Sequence, residues 1–209
     1  MDKEYIRRSY NFDVRAEQNE RGAILTGRPV VYNSRTDLHY FDEIIMPGAL
    51  DGADLTDVRF LVNHNTDMIP LARSRRNNGN STMKLSVDME GLLMDYVLLD
   101  VENNADARAL YSAVERGDIS GMSFMFRVDS DEWDDLESEH PTRKILKISS
   151  IFEISACTFP AYADTSINAR NQEALDNARL TLDSARGAMP VDTGLELAKE
   201  HTKTILLRR

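Results

Sequence analysis

Ser123 lies in the stretch GDISGMSFMFRV, residues 117–128, where large apolar side chains alternate at Met122, Phe124, Phe126 and Val128. A β-strand turns successive side chains to opposite faces. Those four residues therefore face a core, and Gly121, Ser123, Met125 and Arg127 face the other way. A serine held on a rigid strand is a candidate nucleophile. Its hydroxyl is weak at neutral pH and needs a base within hydrogen-bond reach, itself oriented by a third group. The chain has four histidines. His39 and His140 fall in loops and His201 in the C-terminal tail. His64 follows the apolar run VRFLVN, which makes it the best-placed base. Glu153 is a carboxylate inside the apolar run ILKISSIFEISACTF. Burying it unpaired costs several kcal/mol, so it needs a partner. That partner is an arginine such as Arg127 or Arg73, or the ring N–H of His64. Asp67 and His140 compete with Glu153 for the third position.

Each of these residues also has a plainer role. Serine is ordinary on the polar face of a half-buried strand, and a histidine at a strand end is often structural. Cys157, the single cysteine, reads as a small core residue rather than a nucleophile. No closely spaced ligand set, calcium loop or phosphate-cradling glycine loop is present, so neither metal nor cofactor is expected. The oxyanion of an acyl-transfer reaction would then rest on backbone N–H groups, with Arg127 as a side-chain contributor. No G-x-S-x-G elbow occurs, which weighs against an esterase.

The elements that must position these residues follow from periodicity. Tyr5 to Val14 reads as an edge strand and Ala23 to Tyr32 as a strand limited to an edge or a bend by Gly27 and Pro29. Tyr40 to Met46 is a strand, Ala49 to Leu55 a short helix, and Val58 to Asn63 the strand that delivers His64. Met83 to Leu99 is a hairpin turning at Met89 to Gly91. Asn104 to Arg116 is an amphipathic helix, capped by Asn103 or Asn104 and ended by Gly117, with Ala107, Leu110, Tyr111 and Val114 on one face. Asp129 to Glu139 carries seven carboxylates and reads as a solvated loop. In the long strand from Ile145, the residues Ile148, Phe152, Ile154 and Ala156 share one face, and Ser149, Glu153, Ser155 and Cys157 the other. Beyond Asn171, helical spacing at Ala174, Leu175, Ala178, Leu182 and Ala185 predicts a tail helix, broken at Gly187 and Pro190, with a second short helix after it. The expected fold is α+β, a mostly antiparallel closed β-sheet or barrel flanked by helices. Residues 1–168 form the main domain and 169–209 a helical tail.

Composition bounds the function. The 209 residues are 42% hydrophobic and 29% charged, normal for a globular protein. A formal net charge of −10 repels phosphate backbones, so nucleic acid is not an expected partner, whereas a basic protein surface is. No apolar run reaches the length of a membrane helix, the first residues read as no secretory signal, and one cysteine fits a reducing compartment.

Taken in order, GRPVVYN, YFDEIIMPGAL, FLVNHN, PLARS, GDISGMSFMF and FEISACTFPAY resemble the ordered motifs of tailed-bacteriophage prohead maturation proteases, over roughly residues 10–168. That family is similar in fold to the herpesvirus assemblins. The resemblance implies His64 as base, Ser123 as nucleophile and Glu153 as the acidic third member, although assemblins use a second histidine there. Met125 stands where the family often has glycine, and Leu71-Ala72 where it often has Leu-Gly-Arg. The implied activity is a serine endopeptidase, held within the immature capsid in the host cytoplasm, that trims the scaffolding segment of the capsid protein precursor and then itself. Self-association is a further expectation, and the tail is implied to be a targeting or self-cleaved segment. The competing expectation is a non-catalytic scaffold or assembly factor that binds the capsid protein through its acidic surface and helical tail.

Overall fold

In the computed structural model, residues 6–10, 14–158 and 169–187 are described. The chain enters as β1 (Ile6–Tyr10), β2 (Val14–Asn19), β3 (Gly22–Val31), β4 (Arg35–Asp37) and β5 (Asp42–Ile45). It continues through β6 (Arg59–Val62), β7 (Ala72–Arg73), β8 (Met83–Asp88) and β9 (Gly91–Leu99). Helix α1 (Ala105–Glu115), the long strands β10 (Gly121–Asp134) and β11 (Thr142–Cys157), and helix α2 (Ala169–Gly187) complete it. The architecture is α+β and mostly strand.

The strands fall into two sheets, not one closed barrel. One runs β1-β10-β11-β5-β4, with β6 also on β11 and β7 beyond it; the other runs β2-β3-β9-β8. The pairings are antiparallel except for β5 and β6, which lie parallel to β11. Two of the outer strands are very short, β4 with three residues and β7 with two, which is one way to blunt an open edge. Leu25, Val30, Met94 and Val97 from the second sheet pack with Phe60, Phe124, Phe126 and Ile154 from the first in one apolar core. Among the described residues, no helix is long and apolar enough to cross a membrane.

Helix α1 forms as its sequence dictates. The Asn104 side chain accepts from the backbone N–H groups of Asp106 and Ala107, supplying partners for donors that the first turn leaves open. Ala107, Leu110 and Val114 are buried, and Gly117 leaves the helix at a φ of +79°. The chain then enters β10 directly.

Three expectations are corrected and one choice between alternatives is decided. The 49–55 segment is a chain of turns, because Gly48 and Gly52 take φ values of +82° and +76° that interrupt a helix. Of the two alternatives for β3, the edge is overturned and the bend holds: the strand is internal, between β2 and β9, with register shifts at Leu25/Gly27 and Gly27/Val30 where Gly27 and Pro29 fall. The acidic segment is not all loop, since β10 runs on to Asp134. Its carboxylates meet cations on β11, as Arg143–Asp131 at 2.6 Å, Lys144–Asp134 at 2.5 Å and Lys147–Asp129 at 3.7 Å. Opposite charges facing across a ladder stabilise strand pairing. Finally, Met125 pairs with Glu153 but Phe126 pairs with Ile151. Phe152 is thus the extra residue of a bulge, and Ile151, not Phe152, joins the core.

Helix α2 packs Ala178 and Leu182 against Phe41, with Trp133 and Leu136 alongside. Arg186 donates to the carbonyls of Leu136 and Ser138. The expected second tail helix and the segment from Phe159 to Asn168 lie outside the described residues.

Candidate active site

The site is built on three neighbouring strands. Ser123 of β10 stands directly opposite Ser155 of β11, and β6 runs parallel on the far side of β11 with Leu61 beside Ser155. Glu153 lies two residues before Ser155, and so shares its face. The chain leaves β6 at Val62 and turns back over β11 at Asn63 and His64.

That turn is strained and clamped. Asn63 and His64 both take left-handed backbone conformations, with φ of 52° and 57°. Such a conformation in a non-glycine residue costs ~1–3 kcal/mol and persists only where the surroundings hold it. Here they do. The Asn63 side chain donates to Thr158 Oγ1 and accepts the Thr158 backbone N–H, both at 3.0 Å. The Asn63 N–H reaches the Ala156 carbonyl at 3.0 Å. The His64 N–H donates to Ser155 Oγ at 3.1 Å.

The imidazole therefore lies between the two strands. Its Nε2 is 2.5 Å from Ser123 Oγ, and its Nδ1 contacts Glu153 Oε1. The other carboxylate oxygen, Glu153 Oε2, accepts from Ser155 Oγ at 2.5 Å. Ser123 is fully buried and Glu153 is 3% exposed, while the His64 side chain keeps 15% of its surface. A carboxylate beside Nδ1 favours the tautomer with the proton on that nitrogen. Nε2 is then free to take a proton from a hydroxyl.

The other candidates lie elsewhere. Asp67 is exposed in the loop after His64, its backbone N–H bonded to Asn65 Oδ1. His140 is at the far end of the β10–β11 hairpin, 3.2 Å from Asp42 Oδ1. Arg73 forks onto Asp57 at 2.5 and 2.7 Å. Arg127 sits four residues along β10 from Ser123, its guanidinium 5.7 Å from the centre of the Phe152 ring. Cys157 is buried opposite Gly121. His201 lies outside the described residues.

Three further participants had no role assigned from sequence. Strand parity put Ser155 on the Glu153 face, but nothing in the sequence says that its hydroxyl bridges a carboxylate and a backbone N–H from another strand. The Asn63–Thr158 clamp joins residues 95 positions apart. The third is Arg8, whose carbonyl oxygen accepts from Ser123 Oγ at 2.6 Å. Its guanidinium forks onto Glu43 at 2.5 and 2.9 Å. Glu43 is fully buried and also accepts from Arg143 at 3.2 Å. Burial pushes the Glu43 carboxyl up, but the two guanidinium groups more than offset this and hold it below the usual carboxylate value.

Comparison with known proteins gives this geometry a family. The chain is 31% identical to the prohead protease of Enterobacteria phage HK97 over 131 residues, which is 61% of this chain and 52% of that protein. It thus spans about half the length of the curated relative it matches. No solved structure matches the chain. The family model of the caudovirus prohead serine proteases matches residues 10–178, a span that takes in Ser123, His64 and Glu153 with β6, β10 and β11, and the chain belongs to that family.

Proposed function

We propose that this chain is a serine endopeptidase that cleaves the scaffolding segment of the capsid precursor protein, and itself, inside the immature phage capsid. The observation that carries the reading is the continuous row of contacts from Ser123 Oγ through both ring nitrogens of His64 to Glu153. Family membership supports it independently.

In this reading Ser123 Oγ attacks the scissile carbonyl carbon while its proton passes to His64 Nε2. The carbon–nitrogen bond then breaks, and the leaving amine takes that proton. Water repeats the sequence on the acyl-enzyme and restores the serine. Glu153 holds the imidazole in one tautomer and stabilises it when it is charged. Backbone N–H groups hold the oxyanion.

The test is co-expression with the capsid precursor. Ser123→Ala and His64→Ala should each slow precursor cleavage by ~10³-fold or more, with circular dichroism unchanged. A fluorophosphonate should label the parent protein at Ser123 and neither variant. Cleavage by Ser123→Ala at the parent rate would leave a non-catalytic assembly role as the better reading.

A further inference from the structure

We propose that β1 holds the place of a substrate strand, and that Glu43 selects a basic side chain in the substrate at the position Arg8 now fills. The proposal rests on the protease reading above and names the substrate class of the same site.

Ser123 is on an inner strand and has no exposed surface. The strand covering that side is β1, antiparallel to β10 with Ser9 opposite Ser123. With β1 seated, the Arg8 carbonyl holds the position at Ser123 Oγ that a substrate carbonyl would take.

Proton counting gives the same answer from different atoms. Oγ carries one hydrogen. A backbone carbonyl oxygen can only accept, so the Arg8 carbonyl at 2.6 Å competes with His64 Nε2 at 2.5 Å for that one hydrogen. General-base catalysis requires it on the Nε2 side. Ser123 is therefore better placed as a nucleophile once the Arg8 carbonyl leaves its hydroxyl.

What β1 offers in that position resembles a bound peptide. It is extended, antiparallel to the serine strand, and its Arg8 carbonyl meets the nucleophile through oxygen rather than carbon. An edge strand exchanged for an incoming peptide is a common mode of recognition. The side chain of the same residue identifies the class of peptide. Among the described residues, Arg8 and Arg143 meet Glu43 and Asp131 in a largely buried cluster. Withdrawing Arg8 takes a paired cation from beside the fully buried Glu43, and breaking a buried pair by removing one partner is strongly destabilising. A substrate strand that brings arginine or lysine puts a cation back beside it. Because the Arg8 side chain and carbonyl belong to one residue, the bond cut is the one after the basic residue.

The experiment uses the full chain. Cleavage sites in the denatured capsid precursor are mapped by mass spectrometry, and Ser123 labelling by a fluorophosphonate is timed. The parent protein should cut mainly after arginine or lysine. Glu43→Gln should lower the ratio of cuts after basic to other residues at least about tenfold. Arg8→Lys keeps the charge but loses the fork. It should label at least about fivefold faster than the parent and keep the basic preference, which decides the question even if Glu43→Gln fails to fold. Cuts without basic preference, or labelling of Arg8→Lys no faster than the parent, would overturn the proposal while leaving the protease intact. No Ser123-dependent labelling or cleavage in any of the three proteins would instead sink the protease reading.

Discussion

The backbone N–H of His64 donates to the hydroxyl of Ser155 at 3.1 Å, so one buried side chain ties the turn that carries the imidazole to the strand that carries the carboxylate. The same hydroxyl donates to Glu153 Oε2 at 2.5 Å. Ser155→Ala removes both links and leaves His64 N–H and a carboxylate oxygen short of partners. Hydrogen bonds to charged groups contribute ~1.5–3 kcal/mol, and each ~1.4 kcal/mol is tenfold in rate. Peptide cleavage should slow ~10–100-fold, with the loss in kcat and KM held within about twofold. A change confined to KM in steady-state assays would mean that Ser155 does not position the imidazole.

Glu153→Gln keeps the size of the side chain but removes its charge, so it no longer favours the Nδ1–H tautomer or stabilises the charged ring. The rate of Ser123 labelling should fall on the order of 10³–10⁴-fold, by analogy with the amide substitution in serine-protease triads. Thermal unfolding should move far less than the rate. Labelling at the parent rate would remove Glu153 from the proton-sharing row.

Asn63 holds a left-handed turn and clamps it to Thr158. Asn63→Ala loses the clamp and also disfavours the backbone conformation, and should cost ~2 kcal/mol or more in urea unfolding. Asn63→Gly loses the clamp alone and should be less destabilised by ~1 kcal/mol, because glycine adopts positive φ readily. Equal stabilities for the two variants would show that the conformation is not strained.

Glu43 gives the protein an acid-sensitive joint. Its folded carboxyl is held below the ordinary value of 4.5, since Arg8 and Arg143 outweigh burial. A depressed folded pKa contributes stability that is present above the unfolded value and is lost as pH falls through the folded one. The urea midpoint should therefore drop as the pH falls below the ordinary carboxylate value, with a smaller drop for Glu43→Gln. An equally steep drop in that variant would assign the acid sensitivity to other carboxylates.

Much of the site's scaffold is legible in the sequence, because alternation and capping are local. Met122, Phe124 and Phe126 alternate on the core side of β10, and Asn104 caps the helix that leads into it. What local patterns do not carry is the partner of each group. Parity assigned Phe152 to the core, but one bulged residue handed that place to Ile151. The carboxylates from Asp129 to Asp134 look like solvated loop until the cations of β11 are set opposite them. Arg8 gives no sign in sequence that its carbonyl meets residue 123, because only the pairing of β1 with β10 brings them together. Likewise, a closed barrel is a reasonable solution to exposed strand edges, and very short edge strands are another.

The bulge at Phe152 has a mechanical consequence. It divides β11 into a half that carries Glu153 and Ser155 against β6 and a half that builds the charged hairpin with the far end of β10. A residue standing out of register at the junction absorbs changes of phase and twist. The hairpin arm can therefore be lengthened, shortened or recharged to suit whatever it meets, and the spacing of hydroxyl, ring and carboxyl group stays as it is.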